Sequence, residues 1–319
     1  MIEGGHMNLW WHIGILIGFG FVLSGSANLV VGATLALARR LGLTGFTIGF
    51  LLLGILTSTP EISLAIQSSL TGLPQLSTGD LIGGQILILS LMMGTLTLIL
   101  GKVALDHRLS WRDLVSMCAV IAAPALVLWD GALTRGEGIF LVGTYAVHAM
   151  LLTHDGKAIH HLERYHSHHH THLGHVIGLF VMGILGIIIA SRVIVTNASV
   201  IVQSFFISPL VFGLFFLSFG TNLPEMALAF GALRHRGKEI AIGDFLGSAA
   251  ANTLILGFLG IMSPYRASDP HRVVPALVLL LSLTVFFLWS FWTGKSLSRR
   301  EGVGLLAFYA LFVAYELVG

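Results

Sequence analysis

Stretches of about 20 predominantly apolar residues, each long enough to cross the hydrocarbon core of a bilayer, follow one another from Leu9 to Val318 with only short breaks. No large soluble domain fits between them. The rest of the 319 residues agree: 55% are hydrophobic and 10% charged, and the mean hydropathy is +0.89. Such a chain cannot cover a soluble core with polar surface.

The expected spans are 10–38, 44–71, 79–101, 111–129, 136–156, 174–196, 205–233, 242–263, 272–294 and 302–318. Residues 1–7 are set aside as a leader, because Ile2-Glu3-Gly4-Gly5-His6-Met7 resembles a cloning remnant, and no cleavable signal peptide is seen. The single cysteine, Cys118, lies in an apolar run and is read as packing, which excludes an intrachain disulfide framework. Lys and Arg in short loops favour the cytoplasm. Ten spans with both termini extracytoplasmic put thirteen Lys and Arg inside and four outside; nine or eleven spans would scramble that split.

An internal duplication sets the architecture. Thr57-Ser58-Thr59-Pro60-Glu61 and Thr221-Asn222-Leu223-Pro224-Glu225 are 164 residues apart, and Gly79-Asp80-Leu81-Ile82-Gly83 keeps the same offset to Gly243-Asp244-Phe245-Leu246-Gly247. Each copy holds five spans, so the second enters the membrane in the opposite direction. The predicted fold is therefore an all-α membrane protein of about ten helices in two inverted five-helix repeats, 8–158 and 174–319, joined by a His-rich cytoplasmic loop, 159–173. Inverted repeats with interrupted helices recur in secondary transporters, with the substrate site near the midplane.

Within the apolar spans Glu61 and Glu225 are the carboxylates furthest from either end. Such groups are costly in hydrocarbon and mark ion paths or proton relays. Pro60 and Pro224 lack amide protons, which frees the carbonyls of Leu56 and Gly220 from helical bonding. Thr57, Ser58, Thr59, Thr221 and Asn222 add neutral oxygens one turn before each glutamate, and hard cations such as calcium take several oxygen ligands. Asp80 and Asp244 have two readings, a helix N-cap or an ion ligand. Ser248 and Asn252 lie one turn apart.

With these motifs the chain resembles the cation/calcium exchanger superfamily, particularly prokaryotic sodium/calcium exchangers. The resemblance rests on Gly54-Ile55-Leu56-Thr57-Ser58-Thr59-Pro60-Glu61 with 79–84, and Phe219-Gly220-Thr221-Asn222-Leu223-Pro224-Glu225 with 243–248. It implies Thr57, Ser58, Glu61, Thr221, Asn222, Glu225, Ser248 and Asn252 as ion ligands. It also implies alternating access by sliding of the first and sixth helices past the core. Where the first repeat should offer a later serine and amide, this chain has Gly84 and Ile88, and Gln85 is a candidate replacement. The expected activity is antiport of calcium against sodium, the motif Gly-Thr-Asn-Leu-Pro-Glu resembling the sodium-coupled branch. The alternative is a proton-coupled exchanger of calcium, manganese or magnesium.

Eight histidines lie within 160–175, among them His166, His168, His169, His170 and His172. Imidazole binds transition metals well and calcium poorly, so this loop is either a cytoplasmic metal or pH sensor, or a solvated linker. A transition-metal transporter regulated by the loop is a further alternative. No His-Glu-x-x-His and no Gly-x-x-x-x-Gly-Lys-Ser/Thr occurs, so neither a metalloprotease nor an ATP-driven pump is expected. No cofactor and no nucleic acid are called for. The partners are inorganic cations and the lipid bilayer, and a monomer suffices for such transport.

Overall fold

The computed structural model describes residues 3–40, 55, 57–104, 111–154, 173–205, 207–226, 238–267, 273–294 and 296–318. The His-rich loop lies outside them. Ten of the helical segments among these residues are labelled in chain order: α1 (Glu3–Arg40), α2 (Thr59–Leu70), α3 (Pro74–Leu100), α4 (Trp111–Asp130), α5 (Arg135–His154), α6 (Leu173–Phe205), α7 (209–221), α8 (Lys238–Met262), α9 (Val274–Gly294) and α10 (Arg299–Val318), and residues 223–226 are helical as well. Six of them, α1, α3, α4, α6, α8 and α9, are long and apolar enough to cross a membrane by length and composition. Exposed Trp10, Trp11, Trp111, Trp129, Trp289 and Trp292 sit near helix ends, where amphipathic indoles anchor a protein at the membrane interface.

The duplication is visible element by element. Helices α3 and α8 start 164 residues apart, and α5 and α10 do the same with 20 residues each. Their starts share one device: the Thr134 amide donates to Glu137 Oε2 at 2.7 Å, and the Ser298 amide to Glu301 Oε2 at 2.6 Å. Both are capping boxes, in which a glutamate three residues into the helix reaches back to the capping residue's amide.

Two short antiparallel ladders show the inversion. Strand β1 (Lys102–Ala104) pairs with β4 (Ser296–Ser298), and β2 (Ala132–Leu133) with β3 (Tyr265–Arg266). Helix α4 separates β1 from β2, so the two ladders close opposite ends of the bundle. Strands β2 and β4, equivalent under the 164-residue offset, thus lie at opposite ends, and the two repeats cross the membrane in opposite directions.

Packing divides in two. The larger apolar core unites α3, α4, α8 and α9 with flanking residues of α2, α5, α7 and α10. A separate cluster joins Leu23, Ala27 and Val30 of α1 to Ile187, Ala190 and Ile194 of α6, and meets the other helices at Leu64, Leu76, Phe212 and Leu217 and at the Ser63–Ser191 hydroxyl pair, 2.6 Å apart. Helices α1 and α6 pack antiparallel: His12 meets Asn197 at 2.5 Å near one end, and Gly183 and Gly186 take Ser26 and Val30 further along. In hydrocarbon, where water supplies no drive between helices, such small residues let backbones approach.

Several expected boundaries move. Helix α3 begins at Pro74 and not near 79, because proline suits the first helical turn. Helix α6 runs to Phe205, nine residues past the expected end at 196, its polar Thr196, Asn197, Ser199 and Ser204 bonding carbonyls of their own preceding turns. Cys118 is buried in α4, as a packing residue would be.

Candidate functional site

Each repeat breaks a helix at the same place. Thr57 and Thr221 are helical, Ser58 and Asn222 are turns, and helix resumes at Thr59 and at 223. Ser58 has φ −77° and ψ 15°, Asn222 φ −84° and ψ 7°, the sparsely allowed bridge region where functional residues often sit. Past each break Ile62 N bonds Ser58 O at 3.0 Å and Met226 N bonds Asn222 O at 3.1 Å, and Asn222 N reaches back to Ser218 O at 3.3 Å. The prolines at 60 and 224 cause the interruption, since neither offers an amide to the turn before it.

Helices α3 and α7 cross close beside the second break. A Cβ added at Gly79, Gly83 or Gly213 would fall inside the facing backbone of Leu210, Leu214 or Leu76. Only glycine permits that approach, and it brings Asp80 of α3 beside Thr221 of α7.

Two reciprocal bonds then tie the repeats together. Thr57 Oγ1 donates to Asp244 Oδ1 at 3.2 Å, and Thr221 Oγ1 donates to Asp80 Oδ1 at 3.0 Å. They are one interaction repeated with a 164-residue exchange. Ser248 Oγ lies 3.0 Å from Thr57 Oγ1 and donates to Glu225 Oε1 at 3.4 Å. Glu61 is within electrostatic reach of Asp80 and Asp244, and Glu225 of Glu61 and Asp244. Thr57, Ser58, Glu61, Asp80, Thr221, Asn222, Glu225, Asp244, Ser248 and Asn252 are all buried, at 2% exposure or less.

The N-cap reading of Asp80 and Asp244 is corrected by this geometry. Both helices start six residues earlier, at Pro74 and Lys238, so each aspartate lies more than a turn inside its helix and faces the other repeat's threonine. A cap would need the aspartate just before the first helical turn.

What the cluster lacks is more telling than its bonds. Glu61 Oε2, Asp80 Oδ2, Asn222 Oδ1, Glu225 Oε2, Asp244 Oδ2 and Asn252 Oδ1 are buried without a hydrogen-bond partner. All six are acceptors. The amide nitrogens beside them are occupied: Asn222 Nδ2 donates to Ser218 O at 2.8 Å and Asn252 Nδ2 to Leu81 O at 3.2 Å. Among the described residues no Lys or Arg pairs with any of the four carboxylates. Buried unpaired acceptors are costly, and a buried uncompensated carboxylate more so. An arrangement with oxygens spare and donors spent is suited to hard cations. No three His, Cys, Asp or Glu side chains among the described residues group closely enough to hold a metal by themselves, so such a ligand set has to include hydroxyl and amide oxygens.

Gln85 is placed differently. Its amide nitrogen donates to Ala249 O at 3.0 Å and to Thr253 Oγ1 at 2.8 Å, tying α3 to α8, while its Oε1 stays unpartnered. Thr253 in turn donates to the Val120 carbonyl at 2.9 Å, which Pro124 leaves without its helical donor. The sequence reading missed Thr253, although Pro124 four residues after Val120 signals a carbonyl in need of a partner. It also missed Ser77, one turn before Asp80, whose buried hydroxyl has no partner.

Comparison with known proteins gives a consistent result. The profile of the sodium/calcium exchanger protein family matches residues 11–153 and 175–318, the two halves that flank the His-rich loop. The inner membrane protein YrbG of Escherichia coli strain K12 is 28% identical over 304 residues, covering 92% of this chain and 91% of its own. The sodium/calcium exchanger MaX1 of Methanosarcina acetivorans is 25% identical over 346 residues, covering 94% and 96%. A solved structure of the sodium-calcium exchanger NCX_Mj shares the fold with a TM-score of 0.65 at 21% identity, over 96% of this chain and 99% of that one.

Proposed function

Because the chain belongs to the sodium/calcium exchanger family, we propose that it is a secondary antiporter that moves calcium across the cell membrane against sodium by alternating access. The observation that carries this reading is the set of six buried, unpartnered oxygens contributed by both repeats. Thr57, Ser58, Glu61, Thr221, Asn222, Glu225, Ser248 and Asn252 form the ion site, and Asp80 and Asp244 hold its two threonines. The ionised pair Glu61 and Glu225 balances one divalent ion or two sodium ions, so the two cargoes can replace each other at one charge. Calcium takes six to eight oxygen ligands, and carboxylate, amide and hydroxyl groups of both broken helices supply that chemistry.

Several features support the details. MaX1 carries the name of a sodium/calcium exchanger, and the NCX_Mj structures were obtained with sodium together with calcium or strontium. The separate packing of α1 and α6 suits a two-helix gate that slides along the core and exposes the site to one side at a time. Thirteen of the 17 Lys and Arg fall on one side of the ten expected spans, which favours extracytoplasmic N- and C-termini with the loop 159–173 between the repeats on the cytoplasmic side. The chain performs transport, with no chemical step. A proton-coupled exchanger of calcium, manganese or magnesium is the second reading, favoured by the two additional buried carboxylates, Asp80 and Asp244.

The test is calcium uptake into proteoliposomes under an imposed sodium gradient and, separately, a pH gradient, with Glu61→Gln and Glu225→Gln beside the unsubstituted protein. Sodium-driven uptake abolished in both variants is expected. Uptake under the pH gradient alone would move the protein to the proton-coupled reading, and no calcium flux under either would overturn calcium as the cargo.

A further inference from the structure

The two halves of the site are not equal. Under the 164-residue offset Gly84 is the counterpart of Ser248, Ile88 of Asn252, and Ser58 of Asn222. The first repeat thus lacks a hydroxyl and two amides that the second supplies. The structure shows where the missing side chain would stand. A Cβ on Gly84 would lie 2.9 Å from Asn252 Nδ2 and 3.0 Å from Asn222 Nδ2, closer than ordinary van der Waals contact. Both amides therefore occupy room that exists because residue 84 is glycine. Each is also oriented: its nitrogen donates to a backbone carbonyl, Ser218 O or Leu81 O, and its oxygen is left buried without a partner.

We infer that Gly84 is a specificity-determining residue of the ion site, its missing side chain letting Asn222 and Asn252 converge and present two amide oxygens to a single divalent cation. Resting on the exchanger reading, this adds how the site is selective. The first repeat gives up one neutral hydroxyl at position 84. In exchange the second repeat packs two amide side chains against that position, each with its oxygen unpartnered, a gain for a cation that takes six or more oxygens. With Ile88 apolar, the opposite side adds no oxygen there, so the ligands gather round one position and not several. A site of this kind favours one calcium over several simultaneous sodium ions.

The experiment is equilibrium calcium binding to purified protein by titration calorimetry, for the unsubstituted chain, Gly84→Ala, Asn222→Ala, Asn252→Ala and the doubles Gly84→Ala with each asparagine variant. The methyl group meets the far ends of two side chains and not backbone, so the fold should tolerate it. Gly84→Ala is expected to weaken calcium at least about tenfold, with sodium competition changed much less. Each double should be no weaker than its asparagine single, because residues that act through one another are not additive. Calcium bound by Gly84→Ala as tightly as by the unsubstituted protein, or fully additive doubles, would overturn the inference. If Gly84→Ala fails to run as one species on size exclusion, the asparagine singles decide, since calcium affinity unchanged in both contradicts the amide oxygens as ligands. No calcium binding by the unsubstituted protein would overturn the exchanger reading and this inference with it.

Discussion

Replacing Thr221 by valine removes one hydroxyl and keeps the branched shape that fills the same space. In the structure that hydroxyl donates to Asp80 Oδ1 at 3.0 Å, and the other oxygen of Asp80 has no partner. The substitution therefore leaves a fully buried carboxylate without any hydrogen bond from the facing repeat. A hydrogen bond to a charged group is worth about 1.5–3 kcal/mol. At about 1.4 kcal/mol per factor of ten, the affinity of a site that needs Asp80 held in place should fall about 10- to 150-fold. Thr57→Val should cost at least as much, because Thr57 serves Asp244 at 3.2 Å and also meets Ser248 at 3.0 Å. Thr221→Ser keeps the donor and should stay close to the unsubstituted protein. Calcium titration of purified protein in detergent reads the affinities, and the melting temperature separates loss of binding from loss of fold. Valine variants that bind calcium within about twofold of the original would refute the cross-repeat pairing as a support of the site.

Two further outcomes follow from packing and capping. Gly83→Ala puts a methyl group into the backbone of Leu214 and should destabilise by the about 1–3 kcal/mol typical of overpacking, whereas Gly143→Ala, with open space around it, should be neutral in the same thermal unfolding assay. Glu137→Ala and Glu301→Ala each remove one capping box and should each cost about 1 kcal/mol, lowering the midpoint by about 2 °C and by the same amount in both repeats.

The ten spans, the inversion and the paired glutamates were legible because apolar length, loop charge and a gapless 164-residue offset are one-dimensional signals. The break at Ser58 and Asn222 was legible too, since proline announces it locally. What the sequence could not give is anything that depends on which repeat faces which. Asp80 looked like a helix cap because Gly79 looked like a helix start, yet that glycine is there for the crossing of α3 over Leu210, a contact 131 residues away in the chain. Gly84 looked like a lost ligand, and only the fold places Asn222 and Asn252 in the room it leaves. The capping boxes Thr134 with Glu137 and Ser298 with Glu301 were readable in principle, since both fit the pattern of a hydroxyl residue followed three positions later by glutamate.

The proposed cation site is a single one, built from both repeats between Glu61 and Glu225. Anomalous diffraction from crystals grown with strontium in place of calcium would locate it. A strontium peak within coordination distance of Glu61, Glu225 and at least one of the Asn222 and Asn252 amide oxygens, lost in Glu225→Gln, is the predicted result. A peak elsewhere in the bundle, or one at this position that survives the glutamate substitution, would contradict it.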